Sequence, residues 1–367
     1  MPILKKASSK RRGRGGDFLA LLLLIGLMGG LGWLWWHEKH PAKAVHKKSS
    51  APARVVEKAK EQPKIQPKPV PLVFPARLTA DFPRPVRDVF EAQIALARRA
   101  ISPGSIDGAI GSQTRMAISI FQQMEKLPAT GRLDTNTRPL LTLAAPVFTT
   151  YAVTTNDLAR LQPLGKTWLE KSQQTALEYE SVLELVAEKS HAHPEFIRRL
   201  NPDVNWTNVA AGTILQILDV DYPAPADKAA QVVIHLSGKF LEAFDAETNL
   251  LAHCPCSIAA RVEKRPVGEL HVAVVAPDPN YTFDPDVFPE SQEAQAIGHK
   301  LILHPGPNNP VGVAWIGLDK TGYGIHGTPA PEQVGRTESH GCFRLANWDA
   351  EYLLKLARVG LPVEVVP

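Results

Sequence analysis

The pattern of apolar and polar positions changes character several times along the chain. Residues Phe18–Trp36 (FLALLLLIGLMGGLGWLWW) form an apolar run without a charge. Wound as a helix it would be about 28 Å long, close to the hydrocarbon thickness of a bilayer. It ends in Trp33, Trp35 and Trp36, residues suited to a membrane interface. Residues 37–80 lose this pattern and become rich in Lys, Pro and Ala, which predicts an extended spacer.

Helical periodicity follows over 81–145. Val86, Val89, Phe90, Ile94 and Ala97 fall on one face, with Pro85 at the start. Met116, Ala117, Ile120, Phe121 and Met124 repeat the spacing beyond the turn-rich stretch SPGSIDGAIG. LPATGRLDTNTRPLLTLA reads as a turn, an Asp134 cap and a short helix, completing a three-helix unit. Over 147–220 the pattern is weaker. YAVTTNDL suits a first strand, YESVLELVAEKSHAHPEFIRRLNP two short helices joined at His193–Pro194, and AAGTILQILDV a turn and closing strand. His191 and His193 read as surface residues at helix ends.

From Ala229 to Pro367 the period drops to two, predicting a mostly β domain. The stretch 347–360 is the one convincing helix there. Asn347 is expected to cap it, Trp348, Tyr352, Leu353 and Leu356 to face inward, and Gly360 to close it.

The net charge of +4 is modest, and much of the base lies in the first fifty residues, so a nucleic-acid groove is not indicated. Lys5, Lys6, Lys10, Arg11, Arg12 and Arg14 precede the apolar run. The positive-inside rule then puts 1–17 in the cytoplasm and the remainder outside; Lys39, Lys43, Lys47 and Lys48 on the far side weaken this without reversing it. A cleaved signal peptide is the alternative, but the run is long for one and no small-x-small site follows promptly.

The three cysteines are too few for a disulfide framework. Cys254 and Cys256, either side of Pro255, suit core or near-site packing better than a strained disulfide. Cys342 lies in YGIHGTPAPEQVGRTESHGCFRLANW (Tyr323–Trp348), which also holds His326 and His340. A thiol nucleophile needs a base or a positive environment near it. The turn-forming stretch between His326 and Cys342 would let the glycine-flanked segments at Gly327 and Gly341 face each other. Backbone N–H groups of Gly341 and Cys342 would then be candidates to hold an oxyanion. A zinc site built from His304, His326, His340 and Cys342 lacks any CxxC or HExxH spacing, and no metal or other cofactor is expected. A buried, inert thiol is the third reading.

GIHGT and ESHGCFRLAN together resemble the HGT…SHGC.R signature of L,D-transpeptidases of the YkuD type. KRPVGELHV, PDPNYTFDPDVF and PGPNNPVGVAWIGL are similar to further segments of that family, in the expected order over 229–367, although Arg265 replaces a usual Thr. The resemblance implies a sandwich-like β fold, Cys342 as nucleophile, His326 as general base and the Gly327 carbonyl as the group that orients it. Ser339, His340, Gly341 and Arg344 complete the signature; His340 would shape the pocket, and Tyr323, Ser339 and Arg344 would be substrate contacts, Arg344 either holding a carboxylate or bracing the turn. The implied partner is peptidoglycan, and the implied place is the outer side of a bacterial cytoplasmic membrane, anchored by a single span.

Asp107, Gly108, Gly111, Thr114, Ala117, Phe121, Gln122, Gly131, Asp134, Thr137 and Leu141 resemble the peptidoglycan-binding domain 1 pattern, in which most are caps, turns and core. Residues 147–220 resemble a LysM module, a βααβ unit that binds N-acetylglucosamine glycans, with Ala159–Thr175 longer than that module expects. Two tethering modules would raise local substrate concentration, and loss of 81–220 should leave activity on small soluble muropeptides.

The resemblance implies acyl transfer, in which Cys342 forms a thioester with the third residue of a tetrapeptide stem, D-Ala leaves and an amine of a neighbouring stem accepts the acyl group. Water as acceptor would make this a carboxypeptidase, and a lipoprotein lysine an anchoring reaction. A thiol peptidase of the NlpC/P60 type is disfavoured because there the cysteine precedes its histidine. A wall-binding scaffold with an inert third domain remains a reading of another class.

Overall fold

A computed structural model of the chain describes residues 81–337, 339 and 341–367. The anchor and spacer expected before Asp81, and His340, lie outside the described residues. No helix among the described residues is long and apolar enough to cross a membrane.

Residues 81–145 contain the three expected helices, Val89–Ala97, Ser112–Met124 and Thr137–Leu140, closed by a short antiparallel pair, β1 (Arg84–Pro85) with β2 (Thr142–Leu143). The first helix starts where the Asp88 carboxylate accepts the Glu91 N–H at 2.9 Å. It is not amphipathic: every residue from Phe90 to Ala97 is buried. Its outer side is covered by the middle module, with Phe90 stacked on Phe148 and Phe196. The signature polar residues are internal braces, as their resemblance implies. Gln122 donates to Thr130, Thr137 and the Arg132 carbonyl and accepts from the Gly131 N–H.

In the middle module β3 (Phe148–Ala152) pairs antiparallel with β4 (Ile214–Leu218), and helices Val182–Lys189 and Pro194–Leu200 lie between them in the chain. The first strand stops earlier than its sequence suggests. Thr154 accepts from the Asp157 N–H while Asp157 accepts from the Thr154 N–H, a capping box that starts helix Thr155–Arg160. A second capping box at Thr167 starts helix Trp168–Ser172, so the long insertion is ordered. His191 follows a helix end but is partly covered rather than open to solvent. Its ring stacks on Trp348 and meets the edge of Tyr222, and burial lowers it to about 3. His193 does sit at a helix end, where its Nδ1 accepts from the Glu195 N–H.

The C-terminal domain contributes β5 (Gln231–His235), β6 (Phe240–Phe244), β7 (Leu250–Pro255), β8 (Gly268–Pro277), β9 (Tyr281–Phe283), β10 (Leu301–Leu303), β11 (Ala314–Leu318), β12 (Gly324–His326), β13 (Phe343–Arg344) and β14 (Pro362–Val366). Eight of these form one sheet in the order β13-β12-β11-β8-β14-β5-β6-β7. Beyond β7 the chain bridges back to the other end, Ser257 to Arg344 and Ala259 to Ser339. The expected sandwich is therefore a single curled sheet whose ends meet. Either arrangement buries alternate residues on every strand, so period-two patterning does not separate them. Val232, Ile234, Leu241, Ile316, Ile325, Phe343 and Val363 fill the core with Leu353 and Leu356 of helix Asn347–Leu356. The edge at β7 is covered by residues 100–102, since Ser102 N–H donates to His253 O at 2.8 Å and His253 N–H to Ala100 O at 2.9 Å.

Asn347 does not cap that helix. Ala346 is the capping residue, its methyl group offers no cap bond, and the Asn347 amide turns inward to accept the Thr328 N–H. The helix ends at Leu356, and Gly360, with φ 80°, serves the turn into β14 instead. Cys254 and Cys256 are free, fully buried thiols whose acidity burial suppresses, in keeping with core packing.

Candidate active site

β12 and β13 lie side by side and parallel, with Ile325 opposite Phe343 and His326 opposite Arg344. Ile325 and Phe343 point into the core. The alternation of a strand then sends His326, Arg344 and Cys342 to the opposite face. All three line one cavity of about 720 Å³.

His326 is buried, and its ring stacks on Trp315 of β11 with centroids 5.7 Å apart. Its Nδ1 meets the Gly327 carbonyl at 2.6 Å. A carbonyl only accepts, so the proton sits on Nδ1 and Nε2 carries the free lone pair. Burial pulls the imidazole down to about 4, with the Arg344 charge acting the same way, so the ring is neutral near pH 7.

Cys342 is half-buried, and its Sγ–H points at the Gly322 carbonyl at 3.5 Å. Burial raises this thiol, while a backbone hydrogen bond at Gly324 and the Arg344 charge pull the other way. The resting site is therefore a neutral thiol beside a neutral imidazole.

The turn before Cys342 is held by Ser339. Its hydroxyl donates to the Cys342 carbonyl at 2.5 Å and accepts from the Gly341 N–H at 3.3 Å. Its backbone pairs with Ile258 and Ala260. The Ser339 hydroxyl is thus committed to the turn, and the Gly341 N–H, read as an oxyanion donor, has that hydroxyl as its partner. Arg344 donates to Thr337 Oγ1 at 3.1 Å and pairs through its backbone with Ser257, which fits the bracing reading, while it also borders the cavity.

Tyr323 is not brought into the cavity. Its ring faces Gly341, where an added Cβ would sit 3.7 Å from it, and Lys320 lies over it at 5.4 Å. Gly341 itself lines the cavity, so Tyr323 backs the cavity wall without entering it. No cluster of His, Cys, Asp or Glu among the described residues is arranged to hold a metal ion.

Several wall residues escape a reading based on the signature alone. Tyr281 borders the same cavity as Cys342, and burial raises its hydroxyl to about 12. Phe288 and Trp315 add further aromatic surface. Another wall residue, Trp168, comes from the middle module and stacks on Phe283 at 4.6 Å with an interplanar angle of 20°. The aromatic run around Tyr281 could have been found from the substrate-loop segment. For Trp168 the only signal was the excess length of the insertion that carries it.

Residues 229–365 match the family described as "L,D-transpeptidase catalytic domain", and residues 86–141 match the "Putative peptidoglycan binding domain" family. The "Putative L,D-transpeptidase YkuD" of Bacillus licheniformis is 25% identical over 185 residues, covering 50% of this chain and 93% of that protein. The "Putative L,D-transpeptidase YqjB" of Bacillus subtilis is 36% identical over 103 residues, covering 27% of this chain and about half of that one, 49%. A solved structure of L,D-transpeptidase 3 from Mycobacterium tuberculosis overlaps 44% of this chain and 77% of that chain at 18% identity, with a TM-score of 0.30. The chain carries an L,D-transpeptidase catalytic domain behind a domain of the peptidoglycan-binding type.

Proposed function

We propose that Cys342 and His326 cross-link peptidoglycan stems by acyl transfer. The observation that carries this reading is their placement on one face of adjacent parallel strands, with the Nδ1 proton of His326 held by Gly327 and Nε2 left to accept. Cys342 attacks the carbonyl of the third residue, a diamino acid, in a tetrapeptide stem as Nε2 takes the thiol proton. The tetrahedral oxyanion collapses, the bond to the terminal D-Ala breaks, and His326 returns the proton to the leaving amine. A thioester remains on Cys342. The side-chain amine of a neighbouring stem, deprotonated by His326, attacks it and releases the thiol. Arg344 and Ser339 act as braces of the nucleophile turn, and the Arg344 charge favours the developing thiolate. His340 is assigned to the pocket wall by its place in the signature.

The paired strands β3 and β4, with helices Val182–Lys189 and Pro194–Leu200 among the four helices between them, support a LysM-like role for 147–220, with an affinity for glycan. The apolar run Phe18–Trp36, preceded by basic residues, supports a single-pass anchor that leaves the catalytic domain on the outer face of a bacterial cytoplasmic membrane.

The test is intact-mass spectrometry of wild type and Cys342→Ala after incubation with a disaccharide-tetrapeptide. An adduct lacking the terminal D-Ala, present only with Cys342, is the expected result. Folded wild type that takes up neither this substrate nor a carbapenem would favour a wall-binding scaffold.

A further inference from the structure

One seam joins the middle module to the catalytic loops, and it is polar and buried. Helix Val182–Lys189 presents Glu188 to it. Glu188 Oε1 accepts from the Tyr179 hydroxyl at 2.9 Å, and Oε2 accepts from Asn347 Nδ2 at 3.0 Å. Asn347 Nδ2 also donates to the Pro307 carbonyl at 3.1 Å, and Asn347 Oδ1 accepts from the Thr328 N–H at 3.0 Å. The amide is therefore fixed in direction: its nitrogen must face the carboxylate and its oxygen the backbone N–H.

The Thr328 N–H and the Gly327 carbonyl belong to one planar peptide unit. Asn347 grips one end of that plane, and His326 Nδ1 donates to the other at 2.6 Å. Rotating the plane would take the carbonyl away from the imidazole. The fit leaves no slack, since a Cβ on Gly327 would fall 2.2 Å from Asn347 Oδ1 and one on Gly312 2.0 Å from it. The same seam is pinned by Asn308, whose Nδ2 donates to Glu184 Oε1 at 2.7 Å, and by Gly306, whose added Cβ would lie 2.2 Å from the Leu177 carbonyl.

We propose that Glu188 is a positioning residue for His326, acting through Asn347 and the Gly327–Thr328 peptide, so that the middle module sets the orientation of the catalytic base. The proposal rests on His326 being that base. The groups facing Glu188 are Tyr179, Glu184 one turn earlier on its own helix, and Glu351 on helix Asn347–Leu356. Burial first, then the two carboxylates, push Glu188 up to about 7, against the hydrogen bonds from Tyr179 and Asn347. The ionised carboxylate accepts both hydrogen bonds. A protonated one still offers a carbonyl oxygen to Asn347, but without the charge that strengthens that hydrogen bond, and its hydroxyl reverses the bond with Tyr179. The brace thus tightens as pH rises through about 7.

The test uses the full-length protein and measures the rate of Cys342 acylation by a carbapenem across that pH range, by intact mass. In Glu188→Gln the side-chain carbonyl still accepts from Asn347, while Tyr179 accepts from the new amide. Being neutral at every pH, this variant should hold the low-pH wild-type rate across the range and lose the rise through neutral pH. Glu188→Leu should lower the maximal rate about tenfold or more, with the half-saturating carbapenem concentration unchanged. A folded Glu188→Leu with the wild-type rate overturns the proposal, as does a Glu188→Gln that keeps the pH step. If Glu188→Leu does not fold, the Gln variant decides alone. Wild type that is never acylated would instead bring down the Cys342–His326 reading.

Discussion

The two modules ahead of the catalytic domain look alike in the sequence, as wall-binding tethers, yet they meet that domain differently. Residues 81–145 satisfy polar groups such as Gln122 internally, and touch the catalytic domain through Ser102 and neighbouring backbone along the β7 edge and through Gln113, which donates to the Val334 carbonyl at 2.7 Å. Ser102 also donates to Asp349 at 3.0 Å, beside Tyr222, which donates to the same carboxyl at 2.6 Å. None of the described residues of this first module lines the cleft. The middle module supplies a wall residue, Trp168, and reaches the base through Glu188. One module buttresses the fold, and the other contributes a wall residue of the cleft. The expectation that 81–220 is dispensable for small substrates loses its basis for the middle half.

Substitutions in the two modules should separate these roles. Trp168→Ala removes a wall of the cleft, and the half-saturating concentration of a disaccharide-tetrapeptide in single-turnover acylation should rise about tenfold or more, equivalent to ~1.4 kcal/mol. An unchanged value would return the middle module to the status of a tether. Gln122→Leu strands several buried partners and should cost ~2–3 kcal/mol of stability in a denaturant melt, while the acylation rate per folded molecule stays at the wild-type level. Ser102→Ala is the mildest change. It should cost ~1 kcal/mol, lowering the melting temperature by about 2–4 °C without altering acylation. A loss of rate in either of the last two would erase the distinction between the modules.

The legible parts of this chain were those fixed by local chemistry. His326, Gly327 and Cys342 were picked out by the resemblance that one contiguous segment carries, and the structure brings His326 and Cys342 to one cavity with the Gly327 carbonyl on His326 Nδ1. Helix Asn347–Leu356 was placed by its periodicity, but Asn347 was misread because an Asn at a helix start ordinarily caps it. Its true partners, Thr328, Pro307 and Glu188, come from distant parts of the chain, and nothing local announces them. His191 was placed at the surface by its neighbours in sequence, whereas Trp348 and Tyr222 partly cover it. The curl of the sheet depends on pairings such as Ser257 with Arg344, which strand periodicity does not encode.

The most direct test of the site's chemistry is the pH dependence of Cys342 alkylation by iodoacetamide, in wild type and His326→Gln. Burial holds the thiol above its ordinary range and the imidazole down at about 4, so no ion pair should form at rest. Reactivity should climb continuously past about pH 8.5, with no plateau in the acidic range, and the same profile should hold without the histidine. A plateau of thiolate reactivity below about pH 7 that disappears in His326→Gln would contradict a neutral pair and require a preformed thiolate–imidazolium instead.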